Sequence, residues 1–217
     1  MRLVLASQSS RRRELLALIG LPFEVVTAGT DEERQPGETP ADYVRRLSRE
    51  KALAAALSVG SSALILAADT IVVDGTDVLE KPRNAEDAAA MLRRLRGHTH
   101  EVYTAVTLLE TTNGQMITQV VCSPVPMRSY SEAEIAAYIA SGDPFDKAGA
   151  YGIQNSEFHP AEGFAHCFAN VMGLPLCHVA RVLNMLGVKP PVDVPTTCQA
   201  HLQYSCPVYR SILASDR

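Results

Sequence analysis

The chain has 217 residues, of which 47% are hydrophobic and 20% charged, a balance that excludes a wholly disordered protein. Its formal net charge of −4 at pH 7 lacks the basic surface that general nucleic-acid binding needs. No stretch approaches the roughly 20 apolar residues of a membrane span, and the N-terminal apolar run is too short for a signal peptide. We therefore expect a cytoplasmic protein that binds neither nucleic acid nor membrane.

Strands and helices alternate through the first half of the chain, and a hairpin follows. The predicted elements are strand 3–6, helix 11–19, strand 23–26, a helix from 39 to about 57, strand 63–73, helix 85–95, hairpin strands 99–110 and 116–127, helix 131–140 and helix 179–186. Thr39 and Pro40 form a typical helix start, and Asn113-Gly114 is a strong hairpin turn. This order predicts an α/β fold with a mixed sheet.

The composition changes after Gly187. Residues 189–195 include three prolines, which indicates an extended linker. We therefore predict a domain of residues 1–187, followed by a proline- and cysteine-containing C-terminal extension of residues 188–217.

Three consecutive arginines, Arg11 to Arg13, begin the first predicted helix, where cations oppose the helix dipole. The free N–H groups at that end favour an anion, and Ser7, Ser9 and Ser10 add further donors. The pattern indicates a phosphate site directly after the first strand. A solvated basic turn is the alternative.

Two further charges lie among apolar residues. Lys51 falls near the middle of the apolar face of the second helix. Its side chain either extends past the edge of the core or faces a cleft and meets a phosphate. The helix alone slightly favours the first interpretation. Asp69 lies within the apolar strand 63–73, where a lone carboxylate is costly to bury unless it is paired or bound to a metal. The acidic loop of Asp31, Glu32 and Glu33 is either simply solvated or a source of oxygen ligands for Mg²⁺ or Mn²⁺.

Seven segments around these residues resemble the motifs of the Maf family of nucleoside triphosphate pyrophosphatases. They cover about residues 2–187 in order and comprise 5–16, 43–52, 68–72, 80–82, 97–102, 146–154 and 170–175. The resemblance implies an elongated α/β fold with two lobes around a deep cleft, related to the inosine triphosphate pyrophosphatases. It also implies a cytoplasmic homodimer.

The resemblance implies hydrolysis of a nucleoside triphosphate to the monophosphate and pyrophosphate, assisted by a divalent cation, Mg²⁺ or Mn²⁺. At the matching positions, Asp69 is the implied general base or the group that positions the metal-bound water. Glu32 and Asp69 are the implied metal ligands. The triphosphate is expected to bind Ser7, Arg12, Lys51 and Lys81.

Arg11, Thr70 and Gln154 match the subgroup of the family that prefers dTTP and UTP. The subgroup that prefers 7-methyl-GTP has tryptophan at the position of Arg11, and this chain contains no tryptophan. The resemblance therefore implies a dTTP/UTP pyrophosphatase. Since some members are described as inhibitors of septum formation, a non-catalytic nucleotide-binding regulator of cell division is the alternative.

Some features depart from the family pattern. Ser10 replaces the usual proline of the first motif, and Glu80 replaces the usual glycine before Lys81. The extension has no counterpart in the pattern.

The chain has five cysteines, an odd number that argues against a disulfide scaffold. Four of them lie near the C-terminus and are candidates for a four-thiolate zinc or iron–sulfur site. They are Cys167, Cys177, Cys198 and Cys206. Their spacing lacks the paired Cys-x-x-Cys of such sites, so buried or surface thiols are the alternative.

Overall fold

The computed structural model describes residues 2–27, 29, 33–60 and 62–214. In this part of the chain, six strands form one mixed sheet. They are β1 (Arg2–Ala6), β2 (Phe23–Val26), β3 (Ala63–Asp74), β4 (Asp77–Leu79), β5 (Thr99–Glu110) and β6 (Met116–Pro126). The order is β2-β1-β3-β5-β6, and β4 pairs with β3. The parallel pairs β1–β2 and β1–β3 and the antiparallel pairs β3–β4, β3–β5 and β5–β6 confirm the predicted mixed α/β sheet.

Eight α-helices are present among the described residues. They are α1 (Ser10–Ala17), α2 (Pro40–Val59), α3 (Ala85–Leu95), α4 (Glu132–Ala140), α5 (Phe168–Val171), α6 (Leu176–Met185), α7 (Val194–Leu202) and α8 (Tyr209–Ala214). The Thr39 side chain caps α2 by accepting from the backbone N–H of Asp42, as its sequence predicts. Across the described residues, no helix is both long enough and apolar enough to cross a membrane.

The two faces of the sheet bury different residues. In β3, Ile65 and Ala67 pack in a cluster with residues of α2, whereas Leu64 and Leu66 belong to the main core with α1, α3, α4 and α6. Because side chains of a strand alternate between faces, Asp69 lies on the α2 face and Thr70 on the opposite face.

The sheet opens beside the middle of β3. β1 ends with Ala6 paired to Ala67, and β4 pairs with the same edge of β3 only from Val72 onward. β5 occupies the other edge along nearly the whole strand. None of the described strands therefore pairs with this edge of β3 between Ala67 and Val72, and the chain leaving β1 turns away there into α1.

The C-terminal extension differs from its prediction. The extended linker predicted over 189–195 is wrong beyond Asp193, because the Asp193 carboxylate caps α7 by accepting from the backbone N–H of Thr196 at 3.3 Å. Pro195 fits the first turn, where its missing N–H costs nothing. Both α7 and α8 pack against α6, which lies before the predicted domain boundary. The boundary at residue 187 stays a prediction.

Candidate active site

A cavity of about 530 Å³ lies beside the open edge of β3. Its walls come from the turn after β1, the first turn of α1, α2, β3, the segment after α4 and the loop between α5 and α6. Seven of the nine residues that the family resemblance assigns to the site line this cleft: Ser7, Arg11, Arg12, Lys51, Asp69, Thr70 and Lys81.

An ion pair crosses the cleft wall between α2 and β3. The ammonium of Lys51 lies 2.5 Å from Oδ1 of Asp69, and the two side chains are 12% and 9% exposed. The strand continues through Asp69, as predicted, so regular pairing with β5 fixes the backbone that carries this carboxylate. The interpretation that Lys51 extends past the edge of the core is wrong, since Asp69 draws it into the cleft.

Arg12 enters the cleft from the first turn of α1. Ser9 caps this helix by accepting from the Arg12 backbone N–H. The guanidinium Nε donates to the Gly173 carbonyl at 2.9 Å, and Nη2 donates to the Thr70 hydroxyl at 3.0 Å. These contacts fix the plane of the guanidinium at the cleft wall. Arg13, in contrast, is exposed and is not among the described residues of that wall.

Gly173 permits this arrangement of Arg12. Its φ of +103° is a conformation that residues with a Cβ rarely adopt. A Cβ at this position would lie 3.2 Å from the Thr70 hydroxyl and 3.3 Å from Nε of Arg12. The backbone can therefore approach the guanidinium closely because position 173 is glycine.

A directed chain of hydrogen bonds supports Arg12 from behind. Thr104 donates its hydroxyl proton to the Asn170 carbonyl at 2.9 Å. Because a hydroxyl has one proton, the 2.9 Å contact between Thr70 and Thr104 must be donated by Thr70. Thr70 in turn accepts from Arg12. The buried Asn170 side chain donates to Ser123 at 3.0 Å, which fixes the far end of the chain.

A second group of charges meets at the cleft around Asp146. Arg11 donates to Oδ2 of Asp146 at 2.6 Å. Lys147, which is buried, donates to Oδ1 of Asp146 at 2.7 Å and to Oδ1 of Asp143 at 2.8 Å. Burial raises the pKa of Asp146, but the hydrogen bonds from Lys147 and Arg11 hold it below its usual value overall. The sequence did not single out Lys147, although it directly follows Asp146 in the matching segment 146–154.

Tyr151 lines the cleft and is held by a buried histidine. Nε2 of His100 lies 2.8 Å from the Tyr151 hydroxyl, and the rings meet edge to face at 5.4 Å. Burial lowers the pKa of His100 to about 4 and raises that of Tyr151 well above its usual value. Both groups are therefore neutral at pH 7.

The remaining predicted site residues differ in their placement. Ser7 is buried, and its hydroxyl accepts from the Ser9 backbone N–H at 3.2 Å. Lys81 lines the cleft but is exposed. Gln154 is exposed and, among the described residues, is not part of the cleft wall. Glu32 lies outside the described residues.

The described part of the cleft offers few protein ligands for a cation. Among residues 2–27, 29, 33–60 and 62–214, no group of three His, Cys, Asp or Glu side chains is arranged to hold a metal ion. Mg²⁺ bound with nucleotides commonly takes only one or two carboxylates, while phosphates and water supply the other oxygens. Asp69 on the cleft wall fits that mode of binding.

The four cysteines near the C-terminus line a separate cavity, which shares no lining residue with the cleft. This cavity measures about 10 Å³, room for about one water molecule. No three His, Cys, Asp or Glu side chains in the described part of the chain are grouped to hold a metal ion. The lining therefore does not fit the predicted zinc ion or iron–sulfur cluster of Cys167, Cys177, Cys198 and Cys206.

The chain is similar to several known proteins. The model of the Maf-like protein family matches residues 2–186. The chain is 48% identical to a dTTP/UTP pyrophosphatase of Anaeromyxobacter dehalogenans strain 2CP-1 over 196 residues, which is 89% of this chain and 98% of that protein. It is 45% identical to the dTTP/UTP pyrophosphatase of Escherichia coli O157:H7 over 190 residues, 84% of this chain and 91% of that one. Among solved structures, the Ham1 protein of Staphylococcus aureus matches with a TM-score of 0.40 and 12% identity, covering 58% of this chain and 72% of that one. The resemblance seen in the sequence is thus confirmed, and the chain belongs to the Maf family.

Proposed function

We propose that this chain hydrolyses dTTP and UTP to the corresponding monophosphate and pyrophosphate. The observation that carries the proposal is the Lys51–Asp69 pair, a carboxylate held among cations on the wall of an open cleft. Relatives that are 45% and 48% identical and are named dTTP/UTP pyrophosphatases support the substrate class.

The cations of the cleft bind the triphosphate in this proposal. Arg12 and Lys51 line the wall on either side of the open edge of β3, and Lys81 adds an exposed charge. Ser7 contributes a hydroxyl beside the α1 N-terminus, where backbone N–H groups favour an anion. Phosphoryl transfer depends mainly on positioning and on stabilising the charge of the leaving group, which these cations provide for pyrophosphate.

Asp69 acts on the attacking water. The oxygen of that water forms a bond to the α-phosphorus, while the bond from this phosphorus to the oxygen that bridges to the β-phosphate breaks. Asp69 accepts the proton that the water loses, and pyrophosphate carries away the electron pair. A carboxylate within hydrogen-bond reach of the water can contribute a factor of about 10² to 10⁴ to the rate.

A divalent cation, Mg²⁺ or Mn²⁺, is part of the proposal. Asp69, together with Glu32, would hold it. When bound, such a cation lowers the pKa of a water and screens phosphate charge. The acidity of loop 31–33 supports this assignment, because hard cations prefer carboxylate oxygens.

Base preference is assigned to Arg11, Thr70 and Gln154. Arg11 and Thr70 line the cleft, which supports contact with substrate. Thr70 also bonds to Arg12, so it acts on the phosphate end as well. Gln154 is exposed, and its contribution requires its side chain to turn toward the cleft. We extend the proposal to a cytoplasmic homodimer, as the resemblance implies.

The test is a substrate panel with product analysis. Purified protein is incubated with Mg²⁺ or Mn²⁺ and each of dTTP, UTP, CTP, GTP, ITP and 7-methyl-GTP, and Asp69→Asn is the control. Monophosphate and pyrophosphate from dTTP and UTP, lost in the variant, support the proposal. Preferential cleavage of a nucleotide with a different base would reject the preference for dTTP and UTP. Nucleotide binding without cleavage would reject the enzyme and favour a non-catalytic regulator of cell division.

A further inference from the structure

Lys147 is a cation of the cleft wall whose protons all go to the protein. Its side chain is 8% exposed, although the residue lines the cleft. The ammonium donates to the Asp143 carbonyl at 2.6 Å, to Oδ1 of Asp143 at 2.8 Å and to Oδ1 of Asp146 at 2.7 Å. Because an ammonium has three protons, these acceptors use all of them. Lys147 therefore holds two aspartates in place and has no proton left for a phosphate.

Asp143 is fixed in turn by residues of the core. Its Oδ2 accepts from the Tyr138 hydroxyl at 2.7 Å and from the Asn155 side chain at 3.2 Å. The Tyr138 hydroxyl accepts from the backbone N–H of Gly152 at 2.9 Å. Since Tyr138 is a buried residue of α4, the position of the Lys147 ammonium depends on packed structure and not on a free surface side chain.

Asp146 connects this anchored lysine to Arg11. Nη1 of Arg11 donates to Oδ2 of Asp146 at 2.6 Å, and Nη2 donates to the Asp146 carbonyl at 3.3 Å. An exposed ion pair between two free side chains contributes little, because both must be ordered. Here the carboxylate is already held by Lys147, and the guanidinium is fixed at two points. Only two of its five N–H groups are used in these contacts, so others can meet a ligand.

Lys147 also approaches Gln154, the second residue assigned to base preference that lies near this segment. A Cβ at Gly152 would lie 2.8 Å from Cε of Lys147 and 3.0 Å from Nε2 of Gln154. The glycine thus leaves room for the lysine stem and the glutamine amide to approach each other. Through Lys147, the surroundings of Gln154 are joined to those of Arg11.

A guanidinium distinguishes bases only when its N–H groups have a fixed direction. Thymine and uracil have a carbonyl acceptor at position 4 of the ring, whereas cytosine has an amino donor there. A guanidinium is a donor only. Held in one orientation, it bonds to the carbonyl and opposes the amino group, but a guanidinium free to turn could instead follow the carbonyl at position 2, which all three bases share.

We propose that Asp146, held by Lys147, is a positioning residue that sets the base preference of this chain through Arg11. Asp146 fixes the guanidinium so that its remaining N–H groups bond to the carbonyl at position 4 of thymine or uracil and oppose the amino group of cytosine. The inference rests on the proposed function and deepens it. Neither Asp146 nor Lys147 is among the residues that the family resemblance assigns to the site.

The test compares kcat/KM for UTP with kcat/KM for CTP, two substrates with the same sugar and phosphates. The proteins are the wild type, Asp146→Asn, Asp146→Glu, Arg11→Gln and the double variant Arg11→Gln/Asp146→Asn. Asp74→Asn is the matched control. Asp74 also accepts from an arginine, Nε of Arg94 at 2.6 Å, but is not among the described residues of the cleft wall.

We expect the ratio of UTP to CTP to fall about tenfold in Asp146→Asn, the effect of losing one charge-assisted hydrogen bond. The loss should come mainly from a higher KM for UTP, because contacts to a base act on binding. Asp146→Glu keeps the carboxylate and should retain more of the ratio. Asp74→Asn should keep the ratio of the wild type. In the double variant the ratio should equal that of Arg11→Gln, because Asp146 acts through Arg11.

The outcomes separate this inference from the proposed function. A wild type that does not cleave UTP, or does not prefer it to CTP, overturns the proposed function and this inference with it. A wild type that prefers UTP, together with a folded Asp146→Asn of equal preference, overturns the inference alone. So does a double variant whose ratio falls well below that of Arg11→Gln. Circular dichroism checks the fold, and if Asp146→Asn does not fold, a ratio in Asp146→Glu equal to that of Arg11→Gln overturns the inference.

Discussion

The ammonium of Lys51 and the carboxylate of Asp69 lie 2.5 Å apart and join α2 to β3 at the cleft wall. Both side chains are largely withdrawn from water, and the loss of hydration at such a pair offsets much of its attraction. An ion pair placed there adds little stability relative to apolar residues. Its value lies in presenting a fixed carboxylate and a fixed cation to a ligand in the cleft.

Asp69→Asn should retain the fold and lose most turnover. Asparagine has nearly the same shape but cannot accept a proton from water, so kcat for dTTP should fall by about 10² to 10⁴. Pyrophosphate release measures the rate, and circular dichroism checks the fold. Turnover near that of the wild type would place the base elsewhere, with Glu32 as the next candidate.

Arg12→Gln and Arg13→Gln form a matched pair of adjacent charge removals. Arg12 lines the cleft and bonds to Gly173 and Thr70, whereas Arg13 is exposed. We expect kcat/KM to fall by about 10² to 10³ for Arg12→Gln, the effect of removing one donor to transition-state charge. Arg13→Gln should stay close to the wild type. Equal losses in steady-state assays of the two variants would mean that only the overall charge of the helix matters.

Gly173→Ala should disturb Arg12 more than it disturbs the fold. The new Cβ would press on Thr70 and Arg12, and the φ of +103° adds strain of about 1–3 kcal/mol. Gly114→Ala is the control, because its φ of +73° is also left-handed but nothing lies within 4 Å of its Cβ. Urea denaturation should show a loss of stability in both, and only Gly173→Ala should lose activity, by about tenfold. A similar activity in both variants would contradict the role given to Gly173.

Stability should fall in mild acid because of His100. Burial lowers its pKa to about 4 in the folded protein, whereas the unfolded value is about 6.5. The unfolded state therefore binds the proton first. The stability that neutral His100 contributes is fully present above pH 6.5 and is lost as the pH falls toward 4. Between pH 6.5 and 5 this costs about 2 kcal/mol of unfolding free energy.

Urea denaturation of the wild type and of His100→Gln, at several pH values, checks this contribution. His178, whose pKa burial also lowers to about 4, is present in both proteins, so their difference isolates His100. The stability of His100→Gln should depend less steeply on pH over this range. Equal slopes would show that His100 does not stay neutral in the folded state.

Most of the strands and helices, though not β4, α5, α7 or α8, and seven of the residues that line the cleft could be predicted from the sequence for a physical reason. Asp69 in an apolar strand and arginines at a helix N-terminus are costly unless a ligand or partner uses them. Such residues can be found without a structure. Helix 85–95 and strand 99–110 were predicted with their observed ends, since caps and turns mark them locally.

Other parts depend on contacts between distant residues. The direction of Lys51 is set by Asp69, and one helix cannot reveal it. The importance of Gly173 rests on Arg12, 161 positions away. The prolines indicate an extended linker over 189–195, but α7 begins at Val194 and packs against α6, a contact that the local sequence does not show. The convergence of Cys167 with Cys206 likewise needs the folded chain.

Successive side chains of β3 lie on opposite faces of the sheet, so two sets of contacts begin at adjacent residues. Asp69 engages α2 through Lys51, while Thr70 engages α1 through Arg12 on the other face. Because the two sets begin at adjacent residues and line one cleft, the free-energy effects of substitutions in each should couple in a double-mutant cycle. A one-residue insertion upstream in β3 would exchange the two faces and disable both sets together. The register of this one strand therefore decides both halves of the site at once.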